Sequence, residues 1–221
     1  MKLSVLFLLF IIYSIIGWII EVLNFLITDK KFVDRGFLIG PYCPIYGCGA
    51  VLMTLCLKRY VNDPAVLFLV AVFICSVLEY FTSLFMELIF KTRWWDYSNK
   101  KFNINGRICL ETMIPFGLLG CLMMYVLNPF LLKILNLIPN NILNILSIFI
   151  AIIFIVDNVI SFKIIFNLKN ITKNVRKDCT EEISKKVKQV LKSKNRLHKR
   201  LANAFPKMQP KFIKEKNEKI K

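Results

Sequence analysis

Glu79, Ser83 and Glu87 recur every four residues inside an otherwise apolar run, Ala65 to Phe90. At about 100° per residue on a helix, that spacing keeps the three on one slowly turning face, where they can line one wall. Glu21 lies in another apolar run, Leu3 to Ile27, and Glu111 and Asp157 fall in two more. Each acid would cost about 2.5–3.5 kcal/mol at the centre of a membrane helix, so each is expected to face inward, pair with a base or carry a proton. Arg35, Arg93 and Arg107, all near span ends, are the natural partners. Glu21 and Glu79, deeper in their spans, point to a polar cavity favouring a cationic or proton-coupled substrate. For Glu87, Glu111 and Asp157 the plainer reading is contact with water or an arginine near the interface.

A loop with its own unusual chemistry follows the Glu79 run. Trp94, Trp95, Asp96 and Tyr97 form an aromatic cluster, and Asn103, Asn105, Gly106 and Arg107 add donors and acceptors beside it. Amphipathic aromatics favour the membrane interface, so the cluster reads either as an interfacial belt with a turn or as a folded loop that caps the cavity. A second Pro/Gly-rich stretch, Phe37 to Gly47 and including Tyr46, reads as two turns or as a segment that meets that loop. The seven cysteines show no zinc spacing and the single histidine is His198, so structural thiols are expected, with no metal and no cofactor. No P-loop, His-Glu-x-x-His or Gly-x-Ser-x-Gly pattern occurs, which excludes ATP binding in the P-loop manner and the commonest zinc-protease and serine-hydrolase chemistries.

The elements that must position these groups are membrane spans. The 221 residues are 56% hydrophobic with mean hydropathy +0.56, more apolar than the roughly 45–50% of soluble domains. The expected fold is all-α: a polytopic bundle of about five spans, near 3–27, 43–57, 65–90, 108–132 and 141–162, forming a membrane domain over 1–165. Span two, with Pro44, Gly47 and Gly49, is barely long enough to cross and reads equally as re-entrant. Nineteen of the 31 Lys and Arg lie from position 163 onward, eighteen of them in a basic tail, 166–221, whose apolar positions from about Leu168 to Phe205 follow about three heptads. Anionic lipid or a second copy of the chain is its expected partner; nucleic acid is disfavoured because Phe205 and Phe212 alone offer stacking. With five spans, the basic links 28–42 and 91–107 share one side with the tail, and the positive-inside rule places that side in the cytoplasm and the N-terminus outside.

Several segments together resemble the small bacterial membrane proteins called putative type IV ABC-transporter permeases. They are Gly17-Trp18-x-x-Glu21, Arg35-Gly36-Phe37-Leu38-x-Gly40-Pro41-x-x-Pro44-Ile45-Tyr46-Gly47, Glu79-Tyr80, Glu87, Trp94-Trp95-Asp96-Tyr97-Ser98 and Phe102-Asn103-Ile104-x-Gly106-Arg107-Ile108-Cys109-Leu110. Asp34, Ser83 and Phe116 depart from that pattern, which has Asn, Gly and Trp there. The resemblance implies a transport subunit and a separate cytoplasmic ATPase docked on the 28–42 and 91–107 links. The resulting expectation is a transport-associated membrane protein with a cavity lined by Glu21, Glu79, Glu87 and Glu111 and closed by the Trp94–Arg107 loop. Its rivals are an intramembrane enzyme that uses a glutamate pair as acid and base on lipid or peptide, and a non-catalytic scaffold or regulator acting through the tail.

Overall fold

A computed structural model describes residues 1–30, 32–34, 36, 38–90, 92–174 and 209–210; Arg35 and most of the basic tail, with its heptads beyond residue 174, lie outside the described residues. Five helices account for nearly all of it: α1 (Leu3–Asp29), α2 (Pro44–Cys56), α3 (Pro64–Phe90), α4 (Leu110–Leu137) and α5 (Asn140–Asn174). Four of them, α1, α3, α4 and α5 up to Lys163, are long and apolar enough to cross a membrane. The chain is therefore an all-α, multi-pass membrane protein, as its hydropathy predicts. The expected second span is the short helix α2: its 13 residues rise about 20 Å, less than the roughly 30 Å hydrocarbon core.

The helix ends follow local chemistry. Lys30, with φ 51°, takes the left-handed position just past α1. Asp63 accepts the N–H groups of Ala65 and Val66, both at 3.1 Å, at the start of α3, where Pro64 needs no partner. In α4 the turn Met123–Leu127 widens to a π-helix before the α-helix resumes at Asn128. Beyond Lys163 the helix of α5 continues to Asn174, into the expected tail.

The chain divides into two compact units, and α1, α3 and α5 contribute to both. The first unit comprises Met1–Gly17, Tyr42–Thr82 and Asp96–Ile153. Its core joins Val5, Leu9 and Tyr13 of α1 to Ala50 and Met53 of α2, Leu67 and Ala71 of α3, and Met123 and Met124 of α4. Glycines let the helices close. A Cβ at Gly47 of α2 would stand 2.3 Å from the Phe10 carbonyl oxygen, and one at Gly117 of α4 would stand 2.3 Å from Val72 Cγ2. Cys43 donates its N–H to the Ser14 carbonyl at 2.8 Å, so α2 begins level with the middle of α1 and runs back along its first half.

The second unit comprises Trp18–Pro41, Ser83–Trp95 and Phe154–Lys221. Phe90 packs between Phe162 and the buried Trp94, with ring centroids 5.7 and 6.1 Å away. Thr92–Arg93 (β1) pairs antiparallel with Gln209–Pro210 (β4).

Candidate functional site

α3 is amphipathic in reverse. Glu79, Ser83 and Glu87 are buried at 6%, 5% and 7% exposure, whereas Phe81 and Phe85 between them are 60% and 61% exposed. A soluble helix hides its apolar stripe; here the polar stripe is covered by protein and the phenylalanines face outward, as lipid requires. The four-residue spacing is what places the three polar groups on one face. Glu79 belongs to the first unit, and Ser83 and Glu87 to the second.

In the first unit, a self-tied loop sits on the residue next to Glu79. Residues Asn103–Ile104 (β2) and Ile108–Cys109 (β3) form a two-stranded ladder closed by Asn105-Gly106-Arg107. Asn105 and Gly106 both have positive φ, 53° and 64°, and the Arg107 N–H closes the turn on the Ile104 carbonyl at 2.9 Å. Asn-Gly is the pair that takes such a turn with least strain. The Asn103 amide holds the loop from within: its Nδ2 donates to the Lys100 carbonyl at 2.7 Å and the Ser98 carbonyl at 3.3 Å, and its Oδ1 accepts the Gly106 N–H at 3.0 Å. Asp96 Oδ1 accepts the N–H and hydroxyl of Ser98, and Tyr97 N–H reaches the Gly106 carbonyl at 2.8 Å. Asn103 and Asp96 are thus committed to shaping the loop.

What the loop presents to α3 is Arg107 and Asn105. The buried Arg107 guanidinium lies 5.7 Å from the Tyr80 ring centroid, and Asn105 Nδ2 donates to the Tyr80 hydroxyl at 3.0 Å. Tyr46 of α2, also in this unit, lies against Gly17, where a Cβ would come within 2.2 Å of its ring, and meets Phe116 edge-on at 6.0 Å. Glu111, in the first turn of α4, is exposed and paired with Lys100 Nζ at 2.7 Å. Its hydrogen bond, then its charge, holds the Lys100 ammonium above the usual lysine range. Deeper in the same unit, Asn128 Nδ2 donates to Thr54 Oγ1 at 3.1 Å beside the π-turn.

In the second unit, Glu87 lies 3.4 Å from Arg93, the arginine contact its position near the span end suggests. Glu21 is half-buried, Trp94 is buried and Trp95 half-buried. Trp18 Nε1 donates to Asp34 at 2.8 Å, which ties the Gly-Trp segment to the turn that follows α1. Asp157 accepts main-chain and hydroxyl donors. Its Oδ1 accepts the Ile39 N–H at 2.9 Å and the Ser161 hydroxyl at 2.8 Å, and its Oδ2 accepts the Gly40 N–H at 2.7 Å. Sequence reasoning singled out Asp157 but not these partners, because backbone N–H groups have no residue signature. Asn105 is legible as a donor, but its partner Tyr80 is not, nor is the Asn128–Thr54 pair, for which polar residues within apolar runs are the available signal.

Among the described residues, no cluster of His, Cys, Asp and Glu could hold a metal ion. A sequence model of the family described as putative ABC-transporter type IV matches residues 8–162, more than half of the chain. No curated protein and no solved structure matches it.

Proposed function

Since the chain belongs to the putative type IV ABC-transporter family, we propose that it is the permease-like membrane subunit of a transport assembly, with Glu79 as the group that meets a cationic or proton-coupled substrate. The observation that carries this reading is the reversed burial of α3, because a carboxylate kept under protein in an apolar span is costly unless it has work to do there. Tyr80, Arg107 and the Asn103-tied loop give that stretch of α3 a fixed polar neighbourhood. Glu111, exposed and paired with Lys100, is assigned to holding the loop's end rather than to substrate.

The chain has no P-loop of its own, so the energy for transport comes from a separate ATPase bound on the 28–42 and 91–107 links. Counting the α2 segment as the second of five crossings, these links and the basic tail are cytoplasmic and the tail rests on anionic lipid. Purification of the intact protein in mild detergent tests the assembly: an ATPase subunit recovered in stoichiometric amount is expected. Recovery of the protein alone, or with lipid only, turns the reading to a standalone carrier or an intramembrane enzyme.

A further inference from the structure

Asp157 is a carboxylate in a membrane-spanning helix, and its oxygens accept two main-chain N–H groups and one hydroxyl. Ile39 and Gly40 turn two consecutive N–H groups onto its two oxygens, at 2.9 and 2.7 Å, and Ser161, one turn along α5, adds a third donor at 2.8 Å. Successive N–H groups converging on one anion form a nest, and bonds to an ionised acceptor are about twice as strong as neutral ones. The segment that offers them, Leu38 to Pro41, is a run of bends with no ladder of its own, and Leu38 is fully buried. Backbone outside helix or sheet needs acceptors from elsewhere, and for the part-buried bonds of Ile39 and Gly40 a single side chain supplies both.

We propose that Asp157 is a charge-dependent latch: its negative charge fixes the non-helical segment Leu38–Pro41 to α5, and loss of that charge releases the segment while the helices stay folded. The α5 ladder does not need the Asp157 side chain, and the first unit's core does not include it. An amide in its place turns a donor onto one of the two N–H groups, so Asp157→Asn keeps the shape and breaks the fork. Ser161→Ala removes one donor and leaves the charge, so its effect is smaller. The latch stands independently of the transport reading.

The test is thiol reactivity in the full-length protein in membranes, resolved peptide by peptide by mass spectrometry after N-ethylmaleimide treatment. Leu38→Cys is the reporter, and the native buried Cys109 of the first unit reports general loosening. With Asp157 intact both thiols are protected. In Asp157→Asn, labelling at position 38 is expected to rise about tenfold, the scale of losing a charge-assisted bond, with Cys109 unchanged. Unchanged labelling at position 38 overturns the latch, and so does a parallel rise at Cys109, which would make Asp157 a general stability residue. Should Asp157→Asn fail to accumulate, Asp157→Ala, which removes the charge without adding a donor, carries the same comparison and is judged in the same way.

Discussion

Single residues set how closely the first unit packs. A methyl group at position 47 would meet the Phe10 carbonyl oxygen at 2.3 Å, and because that atom is helix backbone, it cannot rotate away. Gly47→Ala is therefore expected to destabilise the protein by about 1–3 kcal/mol through overpacking, read as a lower thermal midpoint in detergent. The Lys100–Glu111 pair sets a pH window of its own. Lys100 is raised above its ordinary value of 10.5, chiefly by the Glu111 hydrogen bond. Its contribution is then fully present below pH 10.5 and is lost as pH rises through the higher value in the folded state. Both side chains are exposed, so the pair is weak and screened by salt. Glu111→Gln should return Lys100 to the ordinary lysine range in a side-chain NMR titration and leave the thermal midpoint at pH 7 almost unchanged.

At the scale of elements, the role proposed for Glu79 of α3 can be told from a packing role. Replacing a buried ionisable group with an apolar one of similar volume is often neutral or stabilising. Glu79→Leu is accordingly expected to accumulate and melt like the parent protein while transport is abolished; a lower midpoint with transport retained would make Glu79 a packing residue. Phe81→Glu on the outward stripe tests the other face, where a charge costs about 2.5–3.5 kcal/mol at the centre of a span and should lower the amount of inserted protein. The loop before α4 is held differently. Its tip leaves Phe102 and Ile104 exposed, and Asn103 ties its turns together with three hydrogen bonds to main chain.

For the whole molecule, four full spans and a short fifth helix make a membrane body, and most of the chain's basic residues follow it. Ending the chain after Asn174 removes β4, the two-residue partner of β1, and leaves every described helix intact. The truncated protein is expected to melt within a few degrees of the full chain and to copurify with less anionic lipid at low salt, a difference that high salt should erase. Lipid content equal in both would assign the tail to a protein partner.

The sequence by itself determined the membrane class, the four long spans and the family, because apolar runs of twenty or more residues and ordered motifs are written in residue types. It also marked the polar stripe of α3, since a period of four residues on a helix fixes which side chains share a face. Its reading of the second span stayed divided, and the structure shows why: the helix that Pro44 opens is only 13 residues long, while the contact that seats it, Cys43 on the Ser14 carbonyl, involves main-chain atoms of distant residues. Asp157 is the same case. Its place in a span is legible, but its role depends on which backbone N–H groups fold against it, 117 and 118 residues away, and only tertiary structure decides that. Side-chain chemistry is local and can be read along the chain, whereas the partners of buried backbone come from whatever segment the fold brings near.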